Sequence, residues 1–183
     1  MARKRVALIV ALVTSTVTAT LWVQGALAGP GHGRGAGSPT TTRTGKGVTQ
    51  VRVVRNGIGI GTSSTSFSTV DDAITTVTVP DGTRALLLIE FSAESYCNGT
   101  APGDWCALQI TVDGVEANPS EGTEFAFDSP ATDDESWESN SVQRSTDILD
   151  PGTYTVRVRF AVTDPALLFY LDDWHLTVMR IRV

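Results

Sequence analysis

Residues 149–183, LDPGTYTVRVRFAVTDPALLFYLDDWHLTVMRIRV, are the stretch that decides the fold. Val156, Val158, Phe160 and Val162 fall on one side of this segment and Thr155, Arg157 and Arg159 on the other. This is the period of a β-strand with one buried face. The Asp-Pro-Gly turn at 150–152 marks the start of this strand, because proline fixes φ and glycine accepts a positive φ. A second hydrophobic run follows, and the sequence predicts that the two strands form a β-hairpin closing a sandwich.

The second strand of this segment changes phase along its length. Asp172, Trp174, Leu176 and Val178 share one side, whereas the hydrophobic residues from Met179 onward fall on the other side. This change predicts a β-bulge or a change of packing partner near Val178 and Met179. Trp174 is interpreted as a core residue, and Asp172 is expected on the same buried face.

The N-terminus has the pattern of an exported protein. Basic residues at 3–5, an apolar run and small residues before the proposed cleavage site are typical of a signal peptide at 1–28, with an uncleaved membrane anchor as the alternative. The Gly-rich residues 29–47 predict a disordered linker, and 48–183 are long enough for one domain. We therefore expect a secreted protein without stable membrane insertion after cleavage.

The charge of the chain argues against nucleic-acid partners. There are 20 acidic and 14 basic residues, and removal of residues 1–28 takes away three basic residues and no acidic one, which leaves a formal charge of −9. An acidic protein has no general attraction for nucleic acid or for an anionic membrane.

The two cysteines of an exported chain, Cys97 and Cys106, predict a disulfide around the loop NGTAPGDW, with two unpaired thiols as the alternative. A cysteine-based metal site is not expected, because there are no further cysteines and both histidines are distant in sequence. Calcium is the alternative to having no cofactor, since a later stretch offers the carboxylates of Asp128, Asp133, Asp134 and Glu135. We interpret that stretch as a solvated acidic loop.

The middle of the chain reads as short strands separated by turns. Residues 84–93, RALLLIEFSA, are hydrophobic in both phases and predict a central strand covered on both faces. Gly57, Gly59 and Gly61 form a G-x-G-x-G pattern, but no helix follows it, so an edge or bulged strand is favoured over a nucleotide-binding loop. The chain is predicted to be an all-β antiparallel sandwich of about eight to ten strands.

The succession of TVTVPDGTRALLLIEFSAES, WCALQITVDGVEA, ILDPGTYTVRVRFAV and FYLDDWHLTV resembles secreted jelly-roll modules of the galactose-binding-like, carbohydrate-binding class. It is also similar to uncharacterised secreted proteins of high-GC Gram-positive bacteria. The resemblance implies a jelly roll that binds carbohydrate. Trimeric jelly rolls of the tumour-necrosis or complement type share much of the same pattern. No binding residue is carried over, because the ligand loops of the family do not align with this sequence.

Two places have the residue types that sugar binding requires, which are an exposed aromatic ring and neighbouring amide or carboxylate groups. The disulfide loop offers Tyr96, Asn98, Asp104 and Trp105, and the second place is Trp137 in its acidic surroundings. The alternatives are that Trp105 anchors its loop against the disulfide and that Trp137 is the first core residue of a strand.

The predicted function is a secreted, non-catalytic module that binds a glycan or a cell-wall polymer. A structural or interaction protein of the cell surface is the first alternative, and a large apolar face would favour it. A small hydrolase is the second. Asp173 and His175 share a strand face and a nearby serine would complete a triad, but the sequence contains no G-x-S-x-G nucleophile motif. No catalytic residue is therefore predicted.

Overall fold

A computed structural model of the protein describes residues 42–100, 103–130 and 137–183. The predicted signal peptide at 1–28 and linker residues 29–41 lie outside this part of the chain, and the sandwich begins one residue before the expected start at 48. The strands are β1 (Gly47–Asn56), β2 (Ile60–Thr62), β3 (Ser68–Val79), β4 (Ala85–Asn98), β5 (Cys106–Val112), β6 (Val115–Glu116), β7 (Ala126–Asp128), β8 (Glu138–Ser145), β9 (Gly152–Val162) and β10 (Leu168–Arg182), and a 3-10 turn lies at Gly122–Glu124.

These strands form two antiparallel sheets that pack face to face, which confirms the predicted sandwich. Sheet A has the order β1-β10-β4-β8, and β2 continues the β1 edge beside β10. Sheet B has the order β3-β9-β5, and β6 and β7 both pair with β5. With β1 and β2 taken as one strand, and β6 and β7 as another, the order becomes 1-8-3-6 in one sheet and 2-7-4-5 in the other. This is the jelly roll.

The predicted C-terminal hairpin is wrong, although both of its strands are present. β9 lies in sheet B between β3 and β5, whereas β10 lies in sheet A between β1 and β4. The connection at 163–167 therefore crosses from one sheet to the other. The alternation of hydrophobic and polar residues indicates which face of a strand is buried, but it does not indicate which strand lies beside it in the sheet. The two strands meet across the core, where the rings of Phe160 and Phe169 are 5.9 Å apart.

The bulge of β10 lies earlier than the sequence suggested. The pairing with β4 gains one extra residue between Asp172 and His175, and Asp173 has a positive φ of 44°. Leu171 and Trp174 are therefore both buried, and Asp172 faces outward, which corrects its expected burial. The pairing with β4 is regular from His175 onward, and the pairing with β1 is regular from Trp174 to Arg180, so no bulge lies at Val178 and Met179. An irregularity follows at the end of the strand, where β1 has one extra residue, Thr49, opposite the step from Arg180 to Ile181. Trp174 is only 1% exposed, and its prediction as a core residue is confirmed.

The core lies between the inner faces of the two sheets. Its largest side chains come from β4, β7, β9 and β10, and they include Phe91, Phe127, Phe160, Phe169 and Trp174. The predicted central strand is confirmed as β4, which lies inside sheet A. It is covered on both faces only at its start, Ala85–Leu87, because from Leu88 onward its outer residues are partly or fully exposed.

The predicted disulfide between Cys97 and Cys106 is confirmed. Cys97 belongs to β4 in sheet A and Cys106 to β5 in sheet B, so the bond joins the two sheets at the point where the chain crosses between them. Both cysteines are buried in the core. The bond therefore restricts the conformations of the unfolded chain. In the folded protein it also holds the two sheets together at one end of the sandwich.

Replacing both cysteines by alanine is expected to lower the free energy of unfolding by about 2–3 kcal/mol, from the entropy of the short loop that the bond closes. For a domain of this size the midpoint of thermal unfolding would fall by about 7–10 °C. Thermal unfolding of the double variant beside the oxidised wild type measures this difference. Equal midpoints would show that the bond does not stabilise the sandwich.

Candidate ligand-binding surface

The outer face of sheet A carries three aromatic side chains in one row across three strands. Tyr170 of β10 lies directly opposite Tyr96 of β4, and the pairing of Ser95 with Glu138 brings Trp137 to the other side of Tyr96. The two tyrosine rings are stacked with centroids 5.7 Å apart. The Trp137 ring stands edge-on to both, at 4.9 Å from Tyr96 and 5.6 Å from Tyr170. We call Tyr96, Trp137 and Tyr170 the aromatic row.

The aromatic row is open to solvent at one end. Trp137 is 44% exposed, whereas the core residue Trp174 is 1% exposed. Tyr96 and Tyr170 are partly buried because they cover each other. The alternative prediction for Trp137, as the first core residue of a strand, is not what the structure shows, because its ring lies on the outer face of the sheet.

The ring of Tyr170 explains why glycines occur at 59 and 61. β2 is confirmed as an edge strand that pairs with β10 beside this tyrosine. A Cβ atom added to Gly59 would lie 2.6 Å from Cε1 of Tyr170, and one added to Gly61 would lie 2.7 Å from its Cδ2. Only glycine permits this approach, so the backbone of β2 packs against the tyrosine ring and fixes its position.

A pair of carboxylates lies in the next row of the same face. Glu94 of β4 is directly opposite Asp172 of β10 on one side and Ser139 of β8 on the other. Glu94 is exposed and Asp172 is half-buried. We call Glu94 and Asp172 the acidic pair. Asn98 lies at the other side of the aromatic row, two residues beyond Tyr96 on the same strand.

The rest of this face is more varied. His175 lies between Arg55 on β1 and Ser92 on β4. The His175 side chain is exposed and forms no hydrogen bond with another described residue, so among these residues it is not joined to Asp173 and a serine. Val51 and Val53 lie further along β1 and are 52% and 54% exposed. An interaction protein, the first alternative, would need a large apolar face, and these two valines are exposed apolar residues on this face.

The other predicted tryptophan has a different environment. The indole N–H of Trp105 donates to the carbonyl oxygen of Thr123 at 2.7 Å, and the Trp105 backbone N–H donates to Oγ1 of Thr163 at 2.8 Å. Trp105 thereby fixes the β4–β5 loop to the 3-10 turn and to the crossing at 163–167. Asp104 beside it is half-buried. These contacts match the alternative prediction of a loop anchor.

Of the predicted site residues, the structure brings together Tyr96, Asn98 and Trp137. It adds Tyr170 and the acidic pair, which the sequence did not indicate. Tyr170 follows a run of apolar residues and reads as core, and only its alternation with Phe169 and Leu171 marks it as outward-facing.

A polar pocket of about 230 Å³ lies between β7 and β8, where the two sheets separate. Asp128 is 8% exposed at its wall. Its carboxylate accepts hydrogen bonds from the Ser95 hydroxyl at 2.7 Å and from the Ser129 N–H at 2.7 Å. Asn140 in turn donates to the Ser95 hydroxyl oxygen at 3.1 Å. Burial raises the pKa of Asp128, and the nearby Glu138 carboxylate adds to the rise.

The calcium alternative is not decided by these residues, because Asp133, Asp134 and Glu135 lie outside the described part of the chain. Within 42–100, 103–130 and 137–183, no group of three or more His, Cys, Asp or Glu side chains has the arrangement of a metal site. The same ranges contain no helix long and apolar enough to cross a bilayer.

Asp128 gives the stability of the fold a specific pH dependence. Because its pKa is higher in the folded protein than the ordinary value of 3.8, its protonated form is the one that folding favours. That stabilisation is fully present when the pH is below 3.8, the ordinary pKa that applies to the unfolded chain. It is lost as the pH rises through the higher pKa of Asp128 in the folded protein. Relative to Asp128→Asn, the wild type should therefore become more stable as the pH falls.

Urea unfolding of the wild type and Asp128→Asn, at steps between about pH 7 and about pH 4, measures this change. Asp71→Asn, which alters an exposed carboxylate on β3, is the control. A stability difference between wild type and Asp128→Asn that is independent of pH would contradict the assignment.

No protein-family model and no curated protein matches this chain. The likeness to carbohydrate-binding jelly rolls therefore stays a prediction from strand and turn patterns. What the chain does must be argued from the geometry of its own surfaces.

Proposed function

We propose that this protein is a secreted, non-catalytic jelly-roll module that binds carbohydrate on the outer face of sheet A. The observation that supports the proposal is the aromatic row of Tyr96, Trp137 and Tyr170. Three rings in mutual contact make an apolar platform on this sheet face, bordered by the polar side chains of Asn98, Glu94 and Ser139. Exposed aromatic clusters of this kind are uncommon unless a partner covers them.

The chemistry of a sugar fits this platform. One face of a pyranose ring presents C–H groups, which pack against aromatic rings, while its hydroxyls extend sideways toward hydrogen-bonding groups. Asn98 lies on one side of the aromatic row, and Ser139 and Glu94 lie on the other. These three side chains offer both donors and acceptors to hydroxyl groups.

The shape of the surface favours a polymer over a small molecule. Small ligands are usually enclosed in concave pockets, whereas the aromatic row lies on an open sheet face. A chain of sugars can extend across such a face and contact more than one row. A glycan or cell-wall polymer is therefore the proposed partner, and export through the predicted signal peptide would bring the protein to it.

Replacing Trp137 by alanine tests the proposal. Because the ring is 44% exposed, its loss should leave folding nearly unchanged but should weaken retention by a bound polysaccharide about tenfold or more, as expected for one lost stacking contact. Affinity electrophoresis against a panel of soluble polysaccharides measures retention, and thermal unfolding checks the fold.

Trp105→Phe is the matched control. It removes the hydrogen bond to Thr123 and should lower stability by about 1 kcal/mol without changing retention. The proposal fails if the wild type binds no polysaccharide, or if Trp105→Phe abolishes retention while Trp137→Ala retains it.

A further inference from the structure

The acidic pair beside the aromatic row is an arrangement that sheets avoid. Glu94 and Asp172 are directly opposite each other on neighbouring strands. Two like charges in this position repel each other and destabilise the sheet, whereas most cross-strand pairs are apolar or of opposite charge. The pair therefore costs stability and needs a compensating reason.

No cation of the described residues forms an ion pair with either carboxylate. The one ion pair in that part of the chain joins Arg43 and Asp147. Asp172 accepts a hydrogen bond from the Asp173 N–H at 2.8 Å, which holds its carboxylate in place but does not neutralise it. Arg55 of β1 lies opposite His175 in the following row and not opposite the pair.

We infer that the acidic pair gives this surface a preference for sugars that carry a free amine, as in a polymer of glucosamine. This inference rests on the proposed function and specifies its ligand. A sugar packed on the aromatic row would place its substituents over the next row, about 7 Å away along the strand. There an ammonium group would meet two carboxylates, and its charge would relieve their repulsion.

The same charges disfavour anionic sugars. The described residues between Arg84 and Arg144 include no basic residue, so no cation is a close sequence neighbour of Glu94 or Trp137. A uronic acid on the platform would bring a third negative charge toward Glu94 and Asp172. The ranking predicted for binding is therefore amine-bearing, then neutral, then acidic oligosaccharide.

Isothermal titration of the full mature chain with three hexamers tests this ranking. The hexamers are of glucosamine, N-acetylglucosamine and galacturonic acid, at about pH 6, where the carboxylates and the sugar amine are both ionised. Two exposed ion pairs should make the glucosamine hexamer bind roughly three- to thirtyfold more tightly than the acetylated one. That advantage should shrink when salt is raised from about 0.05 M to about 0.5 M.

The variant that isolates the pair is Glu94→Gln with Asp172→Asn. Both substitutions preserve size, and asparagine retains an oxygen to accept the Asp173 N–H. This variant should bind the glucosamine and N-acetylglucosamine hexamers equally. Asp71→Asn with Glu124→Gln removes the same number of exposed charges from β3 and the 3-10 turn, and it should keep the preference of the wild type.

The outcomes separate the two proposals. Equal binding of the glucosamine and N-acetylglucosamine hexamers by the wild type, weakened by Trp137→Ala, would overturn the amine preference and leave carbohydrate binding in place. A preference that survives in the Glu94→Gln, Asp172→Asn variant would also overturn it. Failure of the wild type to bind any of the three hexamers or any polysaccharide would overturn both.

Discussion

The bulge at Asp172 and Asp173 in β10 is the constraint on which both the core and the candidate site depend. β10 is the longest strand, and it pairs with β1, β2 and β4. A one-residue shift in a strand moves every following side chain to the opposite face. With the extra residue, Phe169 and Leu171 before the bulge and Trp174 after it all reach the core. Without it, one of these two groups would face solvent.

The same bulge organises the outer face of sheet A. It coincides with the break between β1 and β2, where Gly57 passes close to the Asp173 carboxylate. Before the bulge, the outward residues of β10 are Leu168, Tyr170 and Asp172, of which Tyr170 belongs to the aromatic row and Asp172 to the acidic pair. β2 then packs its glycine backbone on Tyr170. The proposed binding surface therefore follows from how one strand keeps its core side chains buried.

The sequence was most informative about features that depend on the residues of a single strand. The alternation from Val156 to Phe160 identified β9 and its buried face, and the presence of just two cysteines after a predicted signal peptide identified the Cys97–Cys106 bond. The sequence was least informative about which strands pair with each other, because strands that are neighbours in a sheet can be distant in sequence. The supposed hairpin divides between two sheets for this reason. Tyr170 was missed because its outward position depends on the alternation of β10 before the bulge, and Trp105 reads as a binding residue until its contacts with Thr123 and Thr163 are seen.

The central claim is that ligand contacts Trp137 on the outer face of sheet A, away from the core and from the disulfide loop. The chain after residue 28 contains Trp105, Trp137 and Trp174, and each has one indole N–H that nuclear magnetic resonance detects separately. Titration of ¹⁵N-labelled protein with a bound oligosaccharide should shift the Trp137 signal and leave those of Trp105 and Trp174 in place. A shift of the Trp105 signal with Trp137 unchanged would contradict the account.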